Sequence, residues 1–290
     1  MSILITGGKG QLGKDLAKEL TERGIENIPV DIEEMDITDE KAVKEFISSC
    51  VKERSLDAVI HCAAYTAVDR AEDEEELAYK INAVGTKNVA EACKENDIKL
   101  MYISTDYVFD GEGERPWQPD DKRAPLNVYG KTKYEGELFV QQLEKFFTVR
   151  ISWVFGLHGN NFIKTMLKLG KERDELNVVD DQIGSPTYTK DLSVLLADII
   201  QTDKYGIYHA SNEGLCSWYE FAKEIFSQAG LNVKLNPVDS SAFPVKAKRP
   251  HNSRMDKSKL VQNGFKPLPD WKDALRRYIE ELKESGQYNG

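Results

Sequence analysis

The sequence predicts an α/β fold, a doubly wound parallel sheet joined to a smaller, loop-rich C-terminal lobe. Three observations predict it. Over the first 155 residues short apolar runs alternate with longer amphipathic ones, the rhythm of right-handed βαβ units. The run Ala58-Val-Ile-His-Cys-Ala-Ala64 keeps an unbroken apolar character, which fits a strand covered on both faces. Between the first strand pattern and the first helix pattern lies a glycine cluster, Gly7, Gly10 and Gly13.

Taken in order, Ser2–Thr6 reads as a buried strand and Gly13–Arg23 as a helix with Leu16, Ala17 and Leu20 on one face. Asn27–Asp31 is the second strand, and Glu40–Glu53 the second helix with Val43, Phe46 and Ile47 inward. Ala58–Ala63 is the third strand and Glu76–Glu95 a long helix. Lys99–Ser104, Tyr129–Phe146 and Thr148–Val154 follow as strand, helix and strand. Past residue 156 helical patterns at Phe162–Lys171, Lys190–Gln201, Trp218–Gln228 and Asp270–Lys283 are separated by turn-rich stretches. Prolines cluster there, at Pro237, Pro244, Pro250, Pro267 and Pro269. The expected organisation is residues 1–155 as a dinucleotide-binding domain and residues 156–290 as mainly a substrate-binding lobe. Some segments of the lobe are expected to return and pack on the first domain.

Composition narrows the partners. Lys and Arg total 39 against 49 Asp and Glu, a net charge of −10 in 290 residues. An acidic surface repels polyphosphate, so no nucleic-acid partner is expected. No stretch approaches the roughly 20 apolar residues of a spanning helix, so no membrane partner is expected either. Cys50, Cys62, Cys93 and Cys216 form no C-x-x-C pair, and His61, His158, His209 and His251 show no H-E-x-x-H spacing. Reduced thiols in the cytosol are the expectation. The chain enters an apolar strand within two residues with no basic segment before it, so a cytoplasmic protein without a signal peptide is expected.

Gly7, Gly10 and Gly13 permit a tight turn, close approach to a pyrophosphate, and close packing of helix on sheet. The helix N-terminus beyond them offers free N–H groups and a positive dipole end. Asp31 ends the second strand pattern, where a carboxylate accepts hydrogen bonds from the adenosine ribose and favours NADH over NADPH. Lys9, in the glycine turn, could hold a 2′-phosphate instead, so both NADH and NADPH stay open. The context of the motif predicts a Rossmann-type fold.

Tyr129-Gly-Lys-Thr-Lys133 places a phenol and an ammonium at i and i+4, on one face of a helix. A phenol ordinarily titrates near about 10. A neighbouring cation is expected to lower that value and make Tyr129 a usable proton donor or acceptor. Ser104-Thr105-Asp106 falls at the carboxyl end of the preceding strand, the edge where open parallel sheets place their sites. A hydroxyl there can hold the reacting oxygen beside the phenol.

On these residues the chain resembles the extended short-chain dehydrogenase/reductases, and within them the dTDP-4-dehydrorhamnose reductase family. Matching stretches run nearly end to end: Gly10–Gly13, Ala63–Asp69, Ser104–Phe109, Pro125–Lys133, Arg150–Trp153, Asp181–Thr187 and Arg249–Ser253. The resemblance implies NAD(P)H-dependent reduction of the C4 keto group of dTDP-4-dehydro-L-rhamnose, in nucleotide-sugar and cell-surface polysaccharide biosynthesis. It implies Tyr129 as proton donor, Lys133 as its partner and ribose anchor, and Thr105 as the hydrogen-bonding partner of the C4 oxygen. Gly7, Gly10, Gln11, Leu12, Gly13, Asp31, Asp36, Ile37, Ala63, Ala64 and Tyr65, with Tyr129 and Lys133, would line the dinucleotide. Thr105, Asp106, Trp153 and Arg249 would meet the dTDP-sugar. The family pattern usually has Asn-Ala-Ala-Ala-His-Thr where this chain has His61-Cys-Ala-Ala-Tyr-Thr66.

Some members of the family are dimers joined through Mg²⁺ and acidic side chains. Lys14-Asp15 and Lys190-Asp191 match that pattern poorly, so no metal is expected, while a homodimer stays open. Sugar-nucleotide dehydratases carry Asp-Glu where this chain has Asp106-Tyr107, so the base for elimination is missing. Two alternatives use the same scaffold: an epimerase that keeps NAD bound, and a non-catalytic regulatory subunit resembling that of methionine adenosyltransferase. Intact Tyr129, Lys133 and Thr105 weigh against the second.

Overall fold

Six strands form the central sheet of the computed structural model, which describes residues 1–288. They are β1 (Ser2–Thr6), β2 (Glu26–Val30), β3 (Leu56–His61), β4 (Lys99–Thr105), β5 (Phe146–Ile151) and a sixth strand, Gly206–His209. Their order across the sheet is sixth, β5, β4, β3, β1, β2, and every pairing is parallel. The chain runs outward from β1 to β2 and then crosses back to β3, so a crevice opens at the carboxyl ends of β1 and β3.

Alternation within the strands explains their continuous apolar character. Ile3, Ile5, Ala58, Ile60, Met101 and Ile103 point into one core, and Leu4, Val59, Leu100 and Tyr102 into the other. Successive side chains face opposite sides of a strand, and here both sides are covered. Leu12, Leu16 and Leu20 of helix Gln11–Glu22 close the first core, together with helix Thr189–Ile200. Helices Glu40–Arg54 and Thr86–Glu95 close the second. The side chain of Asp39 caps the former by accepting from the Ala42 N–H at 3.0 Å, satisfying a donor that the helix leaves open.

Several predicted boundaries move, each for a local reason. The helix expected over 76–95 is Glu75–Tyr79, a wider π-helical segment Lys80–Gly85, and Thr86–Glu95. The helix expected over 129–146 is Val128–Val140. Tight turns carry its end into β5, because the aromatic and β-branched run Phe146-Phe-Thr-Val pairs with β4 instead. β5 ends at Ile151 rather than Val154. Trp153 adopts φ 49°, a left-handed conformation that no strand continues, and Val154–Phe155 pairs with Thr187–Tyr188.

A third core lies in the C-terminal half, where helices Phe162–Glu172, Trp218–Ala229 and Trp271–Glu284 pack around Phe155, Tyr188 and Phe221. Three segments of this half return to the sheet: the sixth strand, which the turn-rich sequence concealed, helix Thr189–Ile200, and the stretch 260–268, whose Leu260, Phe265 and Leu268 join the first core. Among the described residues no helix is long and apolar enough to cross a membrane.

Candidate active site

The crevice is a cleft of about 880 Å³ with the glycine turn at one end. Gly7 has φ +67°, and a Cβ there would lie 2.8 Å from the Ala63 nitrogen. A Cβ on Gly13 would run into the Gly7 carbonyl oxygen. Helix Gln11–Glu22 begins at Gly10 with no side-chain cap and no acid in its first turn. Its leading N–H groups are therefore left for an anion, which is the fit a pyrophosphate requires.

Gly7, Gly10, Gln11, Leu12, Gly13, Asp31, Asp36, Ile37, Ala63 and Ala64 all line this cleft. Asp36 is held in place by Thr38, whose N–H and hydroxyl donate to Oδ1 at 2.9 and 2.8 Å. Asp31 Oδ2 accepts from the Lys9 backbone N–H at 3.1 Å. The Lys9 ammonium turns away to Glu33 at 2.7 Å and Glu34 at 3.5 Å, so the cation available for a 2′-phosphate is already paired. Tyr65 lies outside the lining. Its N–H donates to Asn82 at 2.8 Å, and its phenol bonds the Glu74 carboxylate.

At the cleft's other end β4 delivers Thr105, and helix Val128–Val140 delivers Tyr129 and Lys133. The Thr105 hydroxyl donates to Asp106 Oδ1 at 3.0 Å and accepts from the Tyr107 N–H at 3.2 Å. Lys133 Nζ donates to the Ile103 carbonyl at 2.8 Å and lies 4.0 Å from the Tyr102 ring centroid. Burial draws the Lys133 ammonium down to about 7, with Glu137 opposing.

Tyr129 departs from expectation. Burial pushes its phenol well above the ordinary range, the Thr105 hydroxyl opposing. The ammonium that was expected to lower it is engaged by the Ile103 carbonyl and the Tyr102 ring instead. Tyr129 thus holds its proton until an acceptor arrives. Burial also lifts the Asp106 carboxyl to about 6, and its Oδ2 is buried without a hydrogen-bond partner among the described residues.

A second cleft of about 1210 Å³ adjoins the first. Tyr107, Trp153, Trp218 and Arg249 border both. Trp153 stacks on Trp218 with ring centroids 3.7 Å apart. Arg249 donates to Asp69 at 2.6 Å and to the Tyr107 hydroxyl at 3.2 Å, so it is a fixed cation rather than a loose one. Asp181 braces the far wall, accepting from the Ser240 N–H and hydroxyl at 3.0 and 2.8 Å. Tyr107, Trp218 and Asp69 were not singled out as site residues by the sequence, because distant segments bring them together. At the positions weighed for a metal, Lys190 pairs with Glu281 at 2.5 Å and Arg277 binds Asp191. Among the described residues no group of three His, Cys, Asp or Glu could hold a metal.

An uncapped glycine turn calls for a dinucleotide, and a protonated phenol beside a strand-end hydroxyl calls for a carbonyl oxygen to receive the proton. Together they define a nicotinamide-dependent oxidoreductase of the short-chain dehydrogenase/reductase class. Residues 1–284 match the RmlD substrate binding domain family, and the chain belongs to it. The dTDP-4-dehydrorhamnose reductase of Escherichia coli (strain K12) is 40% identical, spanning 97% of this chain and 98% of its own. Among solved structures, that of a dTDP-4-dehydrorhamnose reductase from Clostridium acetobutylicum ATCC 824 is 45% identical with a TM-score of 0.93. The alignment covers 98% of this chain and 100% of that one. The Bacillus anthracis str. Ames dTDP-4-dehydrorhamnose reductase, solved with NADP, is 48% identical with a TM-score of 0.92. It covers 97% of this chain and 99% of that one.

Proposed function

We propose that this protein reduces the C4 keto group of dTDP-4-dehydro-L-rhamnose to dTDP-L-rhamnose, using NADH or NADPH. The observation that carries the reading is the meeting of two clefts beside Tyr129, whose ring packs edge-on to Tyr107 at the shared wall. A reduced nicotinamide supplies the hydride to the carbonyl carbon. Thr105 offers its hydroxyl to the C4 oxygen, and Tyr129 gives that oxygen its proton. Lys133 anchors the ribose and, as an ammonium, offsets the negative charge left on the phenol. Asp106, Trp153 and Arg249 hold the sugar nucleotide, Arg249 standing at the wall that the two clefts share.

Residues 1–155 hold the dinucleotide, and residues 156–290 mainly the sugar nucleotide. Most of the second cleft's wall comes from beyond Trp153, which supports that division. The reading places the enzyme in the cytoplasm, as a monomer or homodimer, serving nucleotide-sugar and polysaccharide synthesis.

Mixing the purified chain with dTDP-4-dehydro-L-rhamnose should consume NADH or NADPH one for one and yield dTDP-L-rhamnose by NMR. No nicotinamide loss with either cofactor overturns the reading. An epimerised product without net loss would make the protein an epimerase.

A further inference from the structure

We propose that Glu137 is the positioning residue of this site. Bridged between Arg150 and Ser104, it clamps the helix bearing Tyr129 and Lys133 to the strand ending in Thr105, and it supplies the fixed negative charge that faces the Lys133 ammonium. The inference rests on the reductase reading above, which did not use Glu137.

Glu137 and Arg150 are both completely buried. Oε1 of Glu137 accepts from the Ser104 hydroxyl at 2.6 Å and from Arg150 Nε at 2.8 Å, and Oε2 accepts from Arg150 Nη2 at 2.7 Å. Arg150 Nη1 donates to the Pro119 carbonyl at 2.9 Å and lies 3.2 Å from His209 Nε2. Burial beside Arg150 holds His209 down at about 3, so the ring stays neutral and accepts. The knot therefore ties the catalytic helix, β4, β5, the sixth strand and the loop around Pro119 into one unit.

A buried ion pair is a poor way to stabilise a fold, since desolvation offsets most of its attraction. What it supplies here is direction and charge. Glu137 stands one helical turn beyond Lys133, on the same face, and Ser104 immediately precedes Thr105. Movement of Glu137 would shift Thr105 relative to Tyr129 and Lys133.

The groups facing Lys133 are few. Its own helix contributes Glu137, and the end of β3 contributes His61 and Cys62, while β4 contributes Tyr102. His61 is held at about 3 and Cys62 raised to about 12, both by burial, and burial raises the Tyr102 phenol. All three stay neutral at physiological pH. The carboxylate of Glu137 is the anion among them, and it opposes the burial that draws the Lys133 ammonium down to about 7.

Glu137→Gln keeps the shape and removes the charge. In that variant kcat should fall roughly 10–100-fold through loss of alignment. Its alkaline fall should also begin about one pH unit lower, because Lys133 loses its proton sooner. NADH affinity titrated against pH should show the same displacement. Glu137→Asp keeps the charge on a shorter arm, so kcat should drop while the alkaline limb stays in place. Ser104→Ala should lower kcat and leave the limb and NADH affinity unchanged. An alkaline limb unmoved in Glu137→Gln, in both turnover and NADH binding, overturns the proposal. Should that variant not fold, wild-type kcat in both Glu137→Asp and Ser104→Ala overturns it. A wild-type chain inactive on the keto sugar fails the functional reading alone, and the binding titration still decides this one.

Discussion

Tyr129 illustrates how far a residue's chemistry follows from spacing and where packing takes over. The four-residue interval to Lys133 places both side chains on one helix face, and both line the same cleft. The direction of the phenol's titration was not legible in that spacing, because it depends on burial and on an ammonium turned to Ile103 and Tyr102. Tyr65 lies outside the cleft's lining for a like reason, its phenol bonded to Glu74. A firmly held proton suits donation, so Tyr129→Phe should lower kcat by roughly 10²–10⁴-fold while NADH titrates almost as in wild type. Near-normal turnover would remove Tyr129 from the chemistry. Asp31 offers the other test at this scale. A carboxylate about 4 Å from a 2′-phosphate repels it by roughly 4 kcal/mol at an effective dielectric of 20, before solvent screens it. The Lys9 charge that would relieve this is shared with Glu33 and Glu34. A net effect of about 1–2 kcal/mol, or roughly 5–30-fold in kcat/KM, follows for NADH over NADPH. Both cofactors should work, with NADH at least equal. Asp31→Ala should shift the ratio of the two kcat/KM values toward NADPH; an unchanged ratio places the ribose elsewhere.

Elements were legible where a single physical cause sets them. The glycine turn is one, because Gly13 must leave room for the Gly7 carbonyl oxygen if the helix is to start against the strand. Gly13→Ala should force helix Gln11–Glu22 back from the turn, costing about 1–3 kcal/mol of stability. The displaced N–H groups should also weaken NADH binding by about tenfold, the equivalent of 1.4 kcal/mol. Calorimetry and titration check the two together, and a variant with wild-type melting and affinity contradicts the close packing. Element ends were less legible where competing causes meet. Phe139 and Val140 continue a helical pattern that Phe146 and Phe147 also suit, and the choice falls to β4, which offers a partner strand. The π-helical segment Lys80–Gly85 had no sequence signal. Asn82 within it holds the Tyr65 backbone on both sides and donates to Thr132 on the catalytic helix at 3.0 Å, contacts that exist only after folding.

At the scale of the whole molecule, the first 155 residues, on which segments of the lobe were expected to return and pack, share a core with the C-terminal half. The core that covers one face of the sheet combines Ile3, Ile5 and Ile60 with Leu192, Leu195, Leu196 and Ile199 from the C-terminal half. The sixth strand pairs with β5 in parallel over Gly206–His209, and Arg23 ties the first helix to Asp198 at 2.6 Å. Only four residues long, that strand was hidden among turns, yet it closes the edge of the sheet beside Arg150. A fragment ending at residue 155 would keep only helix Gln11–Glu22 on this face of β1, β3 and β4, uncovering the part that helix Thr189–Ile200 covers, and would open the edge of β5. Each large aliphatic side chain so uncovered forfeits about 1.5–3 kcal/mol, and a domain has only about 5–15 kcal/mol to lose. Residues 1–155 expressed alone should therefore show no cooperative melt, while the full chain should unfold in one transition with calorimetric and van't Hoff enthalpies in agreement. Circular dichroism of the fragment and calorimetry of the whole chain make the comparison. A sigmoidal melt of the fragment, or two resolved transitions in the full chain, would show that the shared core does not couple the halves.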